Sequence, residues 1–467
     1  MFEYLKYILP LWYYRLYPSA ARLLYPVELL ESLVASGILS RDTGYRDAAS
    51  VHADLIYQAL RKGIIPENTL QNPDPKRYDI RDPHDNYRFI SKYFPRKWRL
   101  YILALRLFSF KNPVRETSAF ISTRGIRMTK TGNAGLYGDF STYQNNRYGP
   151  DEPVSVIIPT LNRYEYLKDV LDDLEKQTHR NLEVIICDQS DPFDDTIYRN
   201  RKIPLKLLRQ EEKALWLARN RCYTVSSGRF ILLFDDDSRV EPDWIENHLK
   251  CLAYFNADIS AGVTDTIVGN GLSEKDAYFH LSDVFDTGNA MVRREVFSKT
   301  GLFDRQFEKQ RMGDGEFGLR SYLAGFPVIS NPYAKRIHLK VDTGGLRQFG
   351  SWDAFRPKNI LSPRPVPSVL YLARRYFGTD AAICMILNSI SASVIPYRYK
   401  NNRKLKMLSP LIMIVLSPVL LVQVLRSWSL SGRKLQQGAM IGDAAAASDL
   451  RYTSYGAAYQ PEEQTGH

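Results

Sequence analysis

Residues 154–177 read VSVIIPTLNRYEYLKDVLDDLEKQ, and this stretch decides the fold. Val154–Ile158 is a short β-rich run, apolar enough to be buried on both faces of a sheet. From Tyr164 the period changes: Leu167, Val170, Leu171 and Leu174 recur at helical spacing on one face. The same alternation continues downstream. Leu182–Cys187, Leu205–Leu208, Phe230–Phe234 and Ile259–Val263 read as strands. Helices are expected over 213–226, closed by Gly228, and from Pro242 to Phe255. Strands alternating with helices predict an α/β fold with a parallel sheet covered by helices on both faces. In such sheets ligands bind beyond the carboxyl ends of the strands.

Those ends are polar here. The first strand runs into Pro159-Thr160-Leu161-Asn162-Arg163, the second into Asp188-Gln189-Ser190, and Phe230–Phe234 into Asp235-Asp236-Asp237. Three adjacent carboxylates repel one another in a partly desolvated cleft and call for a counter-charge. A divalent cation, Mg²⁺ or Mn²⁺, supplies it when one or two carboxylates and substrate phosphates share its shell.

The run VSVIIPTLNR, the LARN of Leu217–Asn220, FDDDSRVEPDW at Phe234–Trp244, TGNAMVRREVF at Thr287–Phe297, GLFD at Gly301–Asp304 and GDGEFGLRSYLAGFPV at Gly313–Val328 together resemble glycosyltransferase family 2, with its GT-A fold. The matched order covers less than half of the chain. The resemblance implies a Rossmann-type mixed, mainly parallel sheet sandwiched by helices, a nucleotide-sugar donor and transfer with inversion to a hydroxyl acceptor. It places Pro159, Asn162 and Asp188 along the nucleotide, with Asp188 accepting from the base. Asp235 would hold the ribose, Asp237 the metal, and Asp236 either. Arg219, with Lys213, would meet the donor phosphates. Thr287, Gly288 and Asn289 would border the donor sugar and acceptor. His338 would be a further metal ligand, followed by Lys340 and Arg347 on a Gly344-Gly345 loop. Asp314 aligns with the family's general base, although Gly313 replaces the acid that usually precedes it. Glu316 is the fallback, with helix capping as its alternative.

Outward from this segment the pattern loosens. Residues 1–150 carry helical periodicity in Val27–Leu39, Ala48–Leu60 and Leu100–Phe110, with a loop-like Pro66–Asn86, and read as a helical accessory region ending in a linker at Tyr137–Asp151. Residues 151–350 form the catalytic domain and 351–437 a helical region. The tail 438–467 is Ala-rich and reads as disordered. Met407–Leu425 is a 19-residue apolar run interrupted by Pro410 and Pro418 and flanked by basic residues, which suits a helix lying in or on a membrane surface more than one crossing it. The aromatic segment Tyr4–Tyr17 is a second candidate for an interface.

Net charge is +12. It favours anionic partners: nucleotide phosphates, lipid headgroups or a lipid diphosphate. No zinc-finger or RNP pattern suggests nucleic acid, and the absence of a Walker A or a strand-borne GxGxxG argues against kinase and dehydrogenase readings. The four cysteines form no CxxC pair, and Glu3, Lys6, Pro10, Arg15 and Pro18 interrupt any secretory signal. The expected enzyme is therefore a metal-dependent glycosyltransferase at the cytoplasmic face of a membrane. It would use a glycan or lipid-linked sugar acceptor in cell-surface polysaccharide or glycolipid synthesis. The alternative is a non-catalytic member that binds nucleotide sugar or a partner.

Overall fold

The computed structural model describes residues 1–17, 25–66, 79–266, 273–341, 344–346, 353–356, 359–399, 401–444 and 450–456. The chain forms two compact units. One comprises Met1–Leu136 and Trp352–Gln436, the other Tyr137–Ser351 and Gln437–His467.

The first unit opens with five helices, α1 (Val27–Ala35), α2 (Ala48–Arg61), α3 (Pro83–Tyr93), α4 (Arg96–Phe108) and α5 (Pro113–Ser122). Side-chain caps start three of them: Asp47, Asp82 and Asn112 accept from backbone N–H groups in the first turn. Of the N-terminal aromatics, Phe2, Tyr4, Tyr7 and Tyr13 are buried in this unit, and Trp12, Tyr14 and Tyr17 are half-buried. Phe2 stacks on Phe89 at 4.1 Å, and buried Tyr4 donates to buried Glu116 at 2.8 Å. Arg106 closes that cluster on Glu116 at 2.7 Å, so the buried carboxylate is paired and hydrogen-bonded. Much of the expected loop at Pro66–Asn86 lies outside the described residues, and its end is already helix α3.

The second unit carries one ten-stranded sheet. Its elements run β1 (Val154–Thr160), α6 (Tyr164–Glu175), β2 (Leu182–Asp188), β3 (Leu205–Arg209), α7 (Leu215–Val225), β4 (Phe230–Phe234), β5 (Ser238–Val240), α8 (Trp244–Tyr254), β6 (Ile259–Thr266), β7 (His280–Ser282), β8 (Asn289–Arg293), α9 (Arg294–Thr300), α10 (Gly313–Leu323), β9 (Val328–His338) and β10 (Thr453–Tyr455). Strand order is β10-β3-β2-β1-β4-β8-β6-β9-β5, with β7 on β9. The core β3-β2-β1-β4 is parallel, and β8 enters antiparallel between β4 and β6. The predicted α/β fold is present, with β5, β7, β8, β9 and β10 added to the strands legible in the sequence.

Two expectations change here. Tyr137–Asp151 is packed rather than free, since Phe140 is fully buried and its ring lies 4.6 Å from that of Phe279. The tail from 438 is ordered wherever it is described. Thr453–Tyr455 adds an antiparallel edge strand to β3, and Ile441 bridges Asp304. A short polar segment forms a strand here because it borrows the hydrogen-bonding edge of a preformed sheet.

Past this unit the chain returns to the first with α11 (Pro367–Leu372), α12 (Gly378–Ser393), α13 (Arg403–Val415) and α14 (Ser417–Gln437). The apolar run 407–425 is divided between α13 and α14, which meet at 81°. Among the described residues no single helix is long and apolar enough to cross a membrane.

Candidate active site

Strands β1, β4, β5 and β9 bring the acidic triplet to a crowded end of the sheet. Phe234 ends β4 and Ser238 starts β5, so Asp235–Asp237 form the link between a parallel and an antiparallel pairing. Ser238 pairs with His338 across that antiparallel ladder, and Leu339 N donates to Asp237 O at 3.0 Å. This register sets His338 Nε2 3.2 Å from Asp237 Oδ1.

Counter-charge for the triplet comes first from the protein itself. Arg163 bridges Asp236 Oδ1 and Asp237 Oδ2, each at 3.0 Å. Arg219 donates to Asp235 Oδ1 at 2.8 Å and Arg336 to Asp235 Oδ2 at 2.9 Å. Arg336 also reaches Asp286 at 2.8 Å. Four carboxylates therefore face three guanidinium groups, and a cation is not the sole means of holding them together.

The three acids are not equivalent. Asp236 is turned inward, accepts from Thr160 Oγ1 at 2.8 Å, and is pushed up to about 6 by burial, against the pull of Arg163. Burial also opposes the charge on Asp237, but the His338 imidazole and the Arg163 charge outweigh it and hold the carboxyl below its ordinary value. Asp237 Oδ1 is buried and accepts no hydrogen bond of good geometry.

Asp235, Asp237 and His338 each offer one ligand atom, all within 4.8 Å of one another. A buried carboxylate oxygen lacking a hydrogen bond, beside a second carboxylate and an imidazole, fits a Mn²⁺ or Mg²⁺ ion. Gly288 borders this group. A Cβ there would come 2.1 Å from Asp235 Oδ2 and 2.0 Å from Arg336 Nη1, so the absence of a side chain lets the Asp235–Arg336 pair close.

Several sequence-predicted residues sit elsewhere than expected. Arg219 is 1% exposed and lies behind Asp235, where it orients that carboxylate instead of presenting its charge to solvent. Lys213 donates to the Gln189 carbonyl. The N-terminus of α7 is itself capped, since Glu308 accepts from Trp216 N and Leu217 N at 3.1 and 3.2 Å.

Asp188 is fully buried. Its Oδ2 accepts from Tyr164 and Tyr198 at 2.8 and 2.9 Å, and its Oδ1 from Ser190 N at 2.8 Å. Both oxygens are thus engaged, by the segment after β2 and by Tyr164 at the start of α6, and burial and the Asp188 charge raise the Tyr198 phenol above its usual range. Pro159 is enclosed within β1 opposite Cys187. Asn162, at φ 53°, ties the β1 end to the same loop: its N–H donates to Ser190 Oγ at 2.8 Å and its Oδ1 accepts from Asp191 N at 2.9 Å.

Asn289 is buried and its side-chain amide is engaged with four neighbours. Its Oδ1 accepts from Trp244 Nε1 at 2.9 Å and lies 3.1 Å from His248 Nε2, while Nδ2 donates to the Val263 and Ala334 carbonyls. Thr287 is buried as well, its carbonyl accepting from Arg219.

Asp314 occupies the first turn of α10, half-buried, with Oδ1 accepting from Gly315 N at 2.8 Å. A Cβ at Gly313 would lie 2.4 Å from the Trp216 ring, which explains the glycine where an acid usually stands. Glu316 is fully buried against Arg320 at 2.9 Å. Lys340 is exposed at the end of β9, and Arg347 lies outside the described residues.

Sequence reasoning missed Arg163, Arg336, Tyr164 and Tyr198. Arg336 had a signal: it stands two residues before His338, on the same face of a strand. The tyrosines had none.

Residues 155–321 match the model of the family described as Glycosyl transferase family 2. The glycosyltransferase GlyA of Streptococcus pneumoniae serotype 4 is 26% identical over 166 residues, covering 35% of this chain and 23% of that protein. The glucosyl-dolichyl phosphate glucuronosyltransferase of Haloferax volcanii is 24% identical over 177 residues, covering 32% and 56%. The chain spans less than two thirds of the length of either relative. Among solved structures, the mannosyltransferase PcManGT of Pyrobaculum calidifontis, in complex with GDP-Man and Mn²⁺, is similar at 17% identity. That match covers 64% of this chain and 92% of that one, with a TM-score of 0.37.

Proposed function

We propose that this chain moves a sugar from a nucleotide-diphosphate donor to a hydroxyl acceptor with inversion, a reading supported by the match of residues 155–321 to the model of glycosyltransferase family 2. The observation that carries the reading is the convergence of Asp235, Asp237 and His338 at one end of the sheet. Asp237 and His338 would hold a divalent cation, with Asp235, positioned by Arg219 and Arg336, beside them. A bound Mn²⁺ or Mg²⁺ supplies charge stabilisation for the departing nucleoside diphosphate.

The chain's own residues do the rest. Arg163 sits on Asp236 and Asp237 and is the guanidinium nearest to hand for an incoming diphosphate. Asn162 and Gly288 shape the backbone around the donor. Asp314 takes the proton of the acceptor hydroxyl as that oxygen attacks the anomeric carbon, and the nucleoside diphosphate leaves from the opposite face. A single displacement needs no covalent enzyme intermediate.

One relative's name, glucosyl-dolichyl phosphate glucuronosyltransferase, supports a lipid-linked sugar as acceptor. A lipid-linked sugar or growing glycan, met at the cytoplasmic face of a membrane during cell-surface polysaccharide or glycolipid synthesis, suits a chain of net charge +12.

A donor-hydrolysis screen with UDP-, GDP- and dTDP-sugars, in Mn²⁺ or Mg²⁺, tests this reading with Asp237→Ala and Asp314→Asn as controls. Metal-dependent turnover lost in Asp237→Ala is the expected result. Turnover that survives both substitutions overturns the site. Donor binding with no turnover under any condition favours the non-catalytic reading.

A further inference from the structure

Helix α14 is built inside out for a water-soluble protein. Of its four buried residues only Leu420 is apolar; Gln423, Ser427 and Ser431 are polar. Gln423 Nε2 donates to the Ile360 carbonyl at 2.8 Å, and Ser427 Oγ to the Pro365 carbonyl at 2.6 Å. Its outward face carries Leu421, Val422 and Leu425, each more than half exposed. A helix in water buries its apolar stripe and shows its polar one.

The exposed stripe continues around the bend. Met407 is 81% exposed and Val415 79%, with Leu411 and Ile414 between them. Pro410 cannot donate to the Lys406 carbonyl, and Ser409 Oγ does so instead at 2.9 Å, a substitution that keeps the backbone satisfied where water is absent. From Ala381 to Gly442 the chain holds eight Lys and Arg and no Asp or Glu. The basic residues cluster toward the outer ends of the two arms, at Arg403, Lys404 and Lys406 before the bend and Arg426, Arg433 and Lys434 after it. The elbow between Ile414 and Leu421 is uncharged.

We propose that the α13–α14 elbow is a wedge that enters one leaflet of an anionic bilayer and leaves on the side it entered. The 81° bend brings both arms back toward the same surface. The basic arm ends match anionic headgroups, and the apolar elbow reaches the acyl region. The inference is independent of the glycosyl-transfer reading.

The test uses the full chain with vesicles of phosphatidylcholine, with and without phosphatidylglycerol, in a flotation assay. The chain floats with the anionic vesicles, and salt weakens the binding. The double substitution Val415→Glu, Leu421→Glu lowers the bound fraction roughly tenfold or more. Both sites are exposed, so an unchanged melting curve confirms that the variant folds.

Topology is read from single cysteines at 404, 415 and 434 carrying an environment-sensitive dye. The four native cysteines are buried, so labelling is selective. Dye at 415 is quenched by nitroxide lipids, while dyes at 404 and 434 are both quenched by an impermeant agent added outside. Protection of 434 with exposure of 404 would mean a crossing and overturns the wedge. So does equal binding by the double variant, or failure to float with anionic vesicles.

Discussion

His338 Nε2 stands 3.2 Å from Asp237 Oδ1, across a ladder joining residues a hundred positions apart in the chain. Neither group makes a metal site alone. The pairing of β5 with β9 makes them neighbours, with Asp235 completing the donor set.

Removing either partner should therefore remove the cation. His338→Ala and Asp237→Asn are each expected to weaken Mn²⁺ binding by roughly tenfold or more, measured by titration calorimetry or the Mn²⁺ electron paramagnetic resonance signal. Unchanged affinity in both variants would show that the ion, if bound, lies elsewhere.

Gly288→Ala places a methyl group about 2 Å from Asp235 and Arg336. The clash should separate that pair at a cost of about 1–3 kcal/mol, lowering the denaturation midpoint and Mn²⁺ affinity together. A variant as stable as the parent would mean that the loop carrying Gly288 yields easily.

Asp314→Asn keeps the shape of the side chain and its acceptor oxygen for Gly315 N, but cannot take up a proton. Transfer kcat should fall by roughly 10²–10⁴ with donor affinity unchanged, as read by steady-state kinetics and equilibrium dialysis. A companion, Gly313→Asp, should fold poorly because its Cβ meets the Trp216 ring.

Acid sensitivity should trace to His248. The ring is buried between Ser260 and Asn289, and burial lowers its pKa from 6.5 to about 4 in spite of those hydrogen bonds. The unfolded chain takes up a proton near pH 6.5 that the folded one refuses until about 4. Stability is thus complete above that window, falls as the pH drops through it, and levels below, by about 3 kcal/mol in all. Unfolding free energies measured against pH should show this slope reduced in His248→Gln. An identical slope would assign the effect to other groups.

The strands were legible because buried parallel strands are runs of apolar residues. Val154–Ile158 and Phe230–Phe234 needed no context. Antiparallel β8 was harder, since Asn289–Arg293 begins on a polar residue whose partners, Trp244, His248, Val263 and Ala334, come from three other elements. The surroundings of Asp188 and Arg219 were hidden for the same reason. A charged residue at a strand end looks available until the side chains that enclose it are known, and Tyr198 and Asp235 enclose these two.

By itself the sequence determined the α/β alternation, the edge at which polar residues gather, and the family that the segment resembles. These follow from local periodicity and from motifs a few residues long. Only the tertiary structure decided which members of the acidic triplet face inward, that three arginines share their charge, and that His338 joins Asp237. It also turned a 19-residue apolar run into a bent pair with its polar face inside. Each of these depends on which distant residue meets which, and strand register and helix packing set those meetings, not the local sequence.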